Sequence, residues 1–384
     1  MCNFAAENNY KDMIGRTIAN DIEKDFQSGK IIVITGARQV GKTTLLEDFA
    51  SRFSKVLKLN CDNYDDRLDL ENRRSTELRN LIGNSDFVMI DEAQRVNNIG
   101  LTLKILADLK LNIPILVTGS SSFELNNAIN EAATGRFFDY RLYPFSFSEL
   151  ANHTSQRDEG RLLEQRILYG SYPDVVNHPE DARRIVTNLA NNYLYRDLLE
   201  YKGMKKTELL QKLVRALALQ IGSEVSYNEL AKTLGADKET IENYIDLLEK
   251  CFVVFRLSSF SRNMRTEIKK GKKIYFYDNG IRNALIANFA PLELRNDKGA
   301  LWENYLVSER IKKLRNTGDC SQCYFWRTNT QQEIDLIEEC DGKMRAYEFK
   351  WKDEKAKMPA IFAETYPEAS FQVINTVNYQ HWIK

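Results

Sequence analysis

Four short apolar runs punctuate the first third of the chain: Ile31 to Thr35, Val56 to Leu59, Phe87 to Ile90 and Ile115 to Val117. Longer amphipathic stretches separate them. Continuous apolar runs read as strands buried on both faces and the stretches between them as crossover helices, so the pattern predicts an α/β unit with a parallel sheet. From about Arg161 to Gly222 the period becomes helical, as in NLANNYLYRDLLEY and ELLQKLVRALALQIG, which predicts a helical lid or linker. The segment SYNELAKTLGADKETIENYIDLLEKCFVVFRLSSF reads as helix, a turn at Gly235 to Asp237, a second helix and a strand, the order of a winged helix. After Asn296 come one helix, Trp302 to Leu314, and strands in CYFWRT, EIDLIEE and MRAYEFKW. The expected units are therefore a sheet domain over 1–155, a helical lid over 156–222, a winged helix over 223–295 and a further α/β domain over 296–384.

Composition supports several domains, because a chain of 384 residues exceeds what one core usually organises. Lys plus Arg and Asp plus Glu are both 54, so no overall field would hold the chain to nucleic acid or an anionic membrane, and any basic surface must be local. No apolar run approaches the ~18 residues of a membrane span, and MCNFAAENNYKDM lacks the features of a signal peptide. The expectation is a cytoplasmic protein with no membrane partner. Six cysteines are too sparse for a disulfide framework and are expected to be reduced. Cys320 and Cys323 form a lone CxxC, read as turn cysteines because Cys340 supplies no second pair for zinc. His153, His178 and His381 have no metal-type spacing, which argues against zinc hydrolase chemistry.

The candidate chemistry begins at Gly36-Ala37-Arg38-Gln39-Val40-Gly41-Lys42-Thr43, a full G-x-x-x-x-G-K-T between the strand IIVIT and the helix that opens with Thr43 and Thr44. Backbone amides of such a loop face phosphates, Lys42 reaches the β and γ oxygens, and Thr43 can hold magnesium. ATP and Mg²⁺ are the implied ligands. Forty-nine residues beyond Lys42, Phe87-Val88-Met89-Ile90 ends in Asp91 and Glu92. Asp91 would hold the metal and Glu92 would polarise the attacking water, since a buried strand seldom ends in two acids without a cation or donor. Thr118-Gly119-Ser120-Ser121-Ser122 follows the next strand and puts hydroxyls, Ser120 among them, where a γ-phosphate sensor would stand.

GARQVGKTT, VMIDEAQR, LVTGSSS, TGRFFDYRLYPFSFSEL and YGSYPDV together resemble the AAA-type P-loop ATPases of bacteria and archaea, which are similar to AAA+ and STAND-like ATPases. The resemblance runs over nearly the whole chain. Ala37 departs from it, standing where the family often has proline. It implies ATP binding and hydrolysis in residues 1–155, and it leaves homo-oligomers open. Arg136 matches the arginine of the family's Gly-Arg motif, which can act on the γ-phosphate in cis or from a neighbouring subunit; the alternative is a surface ion pair. Tyr172-Pro173 and Arg196-Asp197 also match family positions, with no role derived.

In the second half, Lys238 to Lys250 would be the recognition helix of the winged helix, but it carries acids and is not basic. The hairpin from Arg262 to Lys273 holds six basic residues against Glu267, so DNA would be met mainly by this wing; the competing reading is a lysine-rich edge that only keeps the protein soluble. Glu303 on a helix, Asp335 on one strand and Glu348 with Lys350 on the next can project to one side, because strand side chains alternate with period two. The pattern resembles a PD-(D/E)XK nuclease-like fold, which implies Mg²⁺ at Asp335 and Glu348 with Lys350 acting on water. Such a fold can also persist as a binding site only. Two functions stay open: an ATP-driven switch that engages DNA, and a signalling or scaffold ATPase whose C-terminal domains bind protein.

Overall fold

The computed structural model describes residues 13–119, 135–199, 207–261, 271–328, 330 and 332–384. Strands β1 (Ile31–Gly36), β2 (Val56–Asn60), β3 (Phe87–Asp91), β4 (Ile115–Gly119) and β5 (Phe137–Leu142) form a parallel sheet in the order β2-β3-β4-β1-β5. β1, β3 and β4 are buried along their whole length, as their unbroken apolar runs require. Alternation splits each strand between two cores. Ile32 and Ile34 pack with Leu45, Leu46 and Phe49 of the helix Lys42–Ala50. Ile31 and Val33 face the opposite layer, with Leu103 and Leu106 of the helix Ile99–Asp108. The edge strand β5 lies in the FFDYRL stretch, where polar residues interrupt the apolar ones and mask the strand.

Among the described residues six α-helices follow: Phe147–His153, Gln156–Arg161, Leu163–Tyr169, Pro173–Asn177, Ala182–Leu199 and Thr207–Leu219. The helices Tyr227–Leu234 and Lys238–Lys250 meet at Gly235, whose φ of 65° suits a residue without Cβ, and Asp237 caps the second by accepting from Thr240 N at 2.7 Å.

The remaining strands are β6 (Glu224–Val225), β7 (Val254–Ser259), β8 (Lys272–Phe276), β9 (Gln322–Arg327), β10 (Glu333–Cys340), β11 (Lys343–Phe349) and β12 (Ser370–Ile374). Strands on both sides of 295/296 belong to one sheet. β7 runs parallel to β9, Ser258 opposite Tyr324, and one seven-stranded sheet forms in the order β12-β11-β10-β9-β7-β8-β6. Sequence composition carries no trace of this join, because it is made by backbone groups. The helix Lys298–Asn316 covers it, with Leu301, Trp302 and Leu306 sharing a core with Tyr275 and Phe276. Its buried Asn304 acts as a surrogate strand, accepting from Phe276 N at 2.8 Å and donating to Phe276 O at 3.0 Å.

The parallel-sheet unit docks directly on this helix. Glu309 Oε2 accepts from Phe147 N at 2.7 Å, and Lys312 Nζ donates to Phe145 O at 3.1 Å. Ser171 N donates to Asp278 Oδ2 at 2.7 Å.

The cysteines are not all reduced. Cys320 and Cys340 form a disulfide with Cα atoms 6.0 Å apart, because the antiparallel register Gln322 to Glu339 brings the start of β9 beside the end of β10. Sparseness along the chain did not foretell that meeting. Cys61 and Cys251 are buried, and burial pushes the Cys323 thiol up to about 12. Among the described residues no helix is long and apolar enough to cross a membrane.

Candidate functional site

The loop from Gly36 to Lys42 links β1 to the helix Lys42–Ala50 and depends on both its glycines. A Cβ on Gly36 would lie 2.2 Å from Leu142 O of the neighbouring strand, and Gly41 has φ +93° where the helix begins. Ala37 and Val40 are buried, Arg38 is half-buried and Gln39 is exposed, so the loop is pinned from beneath. Lys42 is buried, its ammonium donating to Gly36 O at 3.0 Å and Ala37 O at 2.8 Å. Thr43 and Thr44 are exposed at the first turn.

Asp91 ends β3, separated from β1 by β4, yet its Oδ2 accepts from Thr43 Oγ1 at 2.6 Å. Its Oδ1 accepts from Thr118 Oγ1 at the end of β4, and Thr118 Oγ1 in turn accepts from Glu92 N at 3.2 Å. Glu92 turns into the left-handed region at φ +52°, a costly conformation for a non-glycine residue that this hydrogen-bonded end sustains. Gln94 Nε2 donates to Glu92 Oε2 and orients the carboxylate. Oxygen donors from Thr43 and Asp91 in direct contact suit a hard cation such as Mg²⁺. Ser120 lies outside the described residues.

Two further groups meet the loop from afar. Arg16, its side chain buried over the Phe145 ring, donates to Val40 O at 2.5 Å, Tyr143 O at 2.8 Å and Glu149 Oε2 at 3.1 Å, tying the loop to the end of β5. Pro173 Cγ lies 4.0 Å from where a Cβ on Gly41 would stand. Tyr172-Pro173 was legible only as a resemblance, and Arg16 stands in no motif that a reading of spacing singles out. Arg136 is elsewhere. Its carbonyl accepts from Ile31 N at 3.1 Å at the start of β1, and its guanidinium pairs with Asp108 at 2.7 Å. Parallel strands put the loop at the opposite end, about five residues or roughly 17 Å away. The Arg136 guanidinium is therefore placed away from the phosphate loop of its own chain.

A second cluster forms in the seven-stranded sheet. The register Leu336 to Tyr347 sets Asp335 opposite Glu348 on one face. Asp335 Oδ2 accepts from Phe349 N at 2.7 Å, while burial and the charges of Glu303 and Glu348 hold its carboxyl well above the ordinary range. Lys350 Nζ donates to Glu348 Oε1 at 2.8 Å. Glu303 Oε1 accepts from Tyr275 Oη at 2.6 Å and from Lys273 Nζ at 2.9 Å, and Lys273 also pairs with Glu333 at 2.5 Å. Asp335 thus lies within the field of Glu303 and Glu348, and Lys273, Tyr275 and Glu333, which the strand spacing did not single out, join Glu303. Lys273 corrects the wing expectation. It is 1% exposed, so it cannot be a DNA-facing cation, and residues 262–270 of that wing lie outside the described residues. Burial opposes its charge, but Glu303, Asp335 and Glu333 outweigh that and raise its pKa.

Three segments of the chain match known families. Residues 28–151 match an AAA domain, residues 160–292 the domain of unknown function DUF8612, and residues 298–382 the domain of unknown function DUF4143. The uncharacterized protein Rv2008c of Mycobacterium tuberculosis is 27% identical over 338 residues, covering 87% of this chain and 73% of that protein. An uncharacterized protein of Haemophilus influenzae is 25% identical over 285 residues, covering 68% of this chain and 71% of the relative. Among solved structures, the Walker-type ATPase PABY2304 of Pyrococcus abyssi aligns with a TM-score of 0.50 at 14% identity, over 72% of this chain and 96% of that one. At that identity the likeness shows the fold. The chain carries a P-loop, ATP-binding domain of AAA type.

Proposed function

We propose that this protein is a Mg²⁺-dependent ATP-hydrolysing switch coupled to a C-terminal site that takes a divalent cation and a phosphodiester, DNA being the substrate class. The observation that carries the first half is the 2.6 Å contact between Thr43 and Asp91 at the mouth of the loop. Magnesium bound there would neutralise phosphate charge. Lys42 exchanges its two carbonyl partners for phosphate oxygens, Asp91 keeps Thr43 oriented, and Glu92 accepts hydrogen from the attacking water while Gln94 holds its other face.

Support for the second half is topological. The order helix (Lys298–Asn316), β9, β10, β11, helix (Ala360–Thr365), β12 has three antiparallel strands and a parallel fourth. Asp335 opposite Glu348, with Lys350 donating to Glu348, supports the resemblance to PD-(D/E)XK nucleases. A short physical path favours coupling: Pro173 abuts the P-loop, Ser171 donates to Asp278, and Asp278 follows β8, which carries Lys273 and Tyr275.

The test is phosphate release from ATP with Mg²⁺, with and without DNA, beside cleavage of labelled DNA in Mg²⁺ or Mn²⁺. ATP turnover abolished in Lys42→Ala and DNA cleavage abolished in Asp335→Asn are expected. Unchanged turnover in Lys42→Ala overturns the first half, and wild-type DNA that is neither cut nor bound overturns the second.

A further inference from the structure

We infer that Lys273 is a positioning residue of the C-terminal site, its ammonium standing where a second metal ion would otherwise sit, so that the site takes one divalent cation. The inference rests on the metal reading of Asp335 and Glu348. Lys273 comes from β8, on the far side of the shared sheet from β10 and β11, and is only 1% exposed. A buried ammonium needs close anions, and it has Glu333 at 2.5 Å and Glu303 at 2.9 Å, with the Phe325 ring centroid at 5.6 Å.

Glu303 is thereby spent. Lys273 and Tyr275 both donate to its Oε1, and its Oε2 faces Gly222, where a Cβ would approach to 3.2 Å. Asp335 and Glu348 have no such cover. Each gives one oxygen to a local donor, Phe349 N and Lys350 Nζ, and they oppose one another across the strand pair. A two-metal site places its ions ~3.5–4 Å apart among shared carboxylates, and here the ammonium takes the second place.

Mn²⁺ binding to nucleotide-free protein in an Asp91→Asn background, read by the electron paramagnetic resonance signal of free Mn²⁺, tests this. One ion per chain is expected, lost in Asp335→Asn/Glu348→Gln. Lys273→Met should bind a second ion, or the first at least ten-fold more tightly, and Lys273→Met/Glu303→Gln should return to one ion at the original affinity. Thermal unfolding gives the second readout: the midpoint of Lys273→Met should fall without metal and recover in millimolar Mn²⁺ but not in matched Na⁺. Binding by Lys273→Met that equals the wild type, or a fold that Mn²⁺ does not recover, overturns the inference. If the wild type binds no Mn²⁺ while Lys273→Met binds one that Glu303→Gln removes, the lysine's role stands and the metal reading of Asp335 and Glu348 falls. If neither binds, both fall.

Discussion

Thr43 Oγ1 and Asp91 Oδ2 stand 2.6 Å apart although 48 residues and the intervening strand β4 separate them. One sits at the start of a helix and the other at the end of a strand, and the parallel sheet delivers both to the same edge.

That meeting separates nucleotide binding from turnover. Lys42→Ala removes a charged donor for which the loop has no substitute, so ATP affinity should drop at least ten-fold, as loss of about 1.5 to 3 kcal/mol implies. Glu92→Gln keeps Thr43 and Asp91 intact. It should bind ATP within about two-fold of the wild type while turnover falls on the order of 10²-fold or more. A fluorescent nucleotide titration beside a phosphate-release assay distinguishes the two variants.

Arg136 offers the contrasting case. Its pairing with Asp108 at the opposite end of the sheet predicts that Arg136→Ala leaves nucleotide affinity within about two-fold of the wild type. A loss of turnover that appears only at high protein concentration would identify action on a neighbouring subunit. Measuring turnover across a dilution series checks this.

The junction between the two halves is held by buried polar groups, and one of them should dominate. Glu309 takes Phe147 N–H and Lys312, both at 2.7 Å. Glu309→Ala leaves a buried ammonium without its counter-ion and an amide without its acceptor, and should cost about 3 to 5 kcal/mol in urea unfolding. Glu309→Gln, which keeps an acceptor for the amide, should cost less.

Asp297 predicts an acid-sensitive contribution. Burial pushes its carboxyl up, but hydrogen bonds from Arg295 and Arg282 at 2.8 and 2.6 Å outweigh this and hold it at about 2. A carboxyl depressed in the folded state stabilises above its unfolded value near 3.8, and that contribution fades as pH falls toward 2. Asp297→Asn should therefore be less stable than the wild type by roughly 2 kcal/mol at pH 6, with the gap narrowing below about pH 4. Paired denaturant titrations from pH 6 to 3 measure it.

Gly36 to Thr43 was readable from sequence because every feature that shapes the loop lies within eight consecutive residues: glycines for φ and close approach, and an apolar strand before a helix. Asp91 and Glu92 were readable for a similar reason, as acids closing an apolar run. The period of two put Glu348 and Lys350 on one side, whereas the register of β10 with β11 decided that Asp335 stands opposite Glu348. Partners brought in by distant strands were not readable. Arg136 follows a glycine as its motif requires, but strand direction alone decides which end of the sheet it occupies. Lys273 looks like one more cation in a basic hairpin until β7 pairs with β9 and turns β8 toward Glu303 and Glu333. Side-chain type and spacing set what each residue can do. Backbone pairing between strands far apart in the chain, made by groups that every residue shares, set which of them meet.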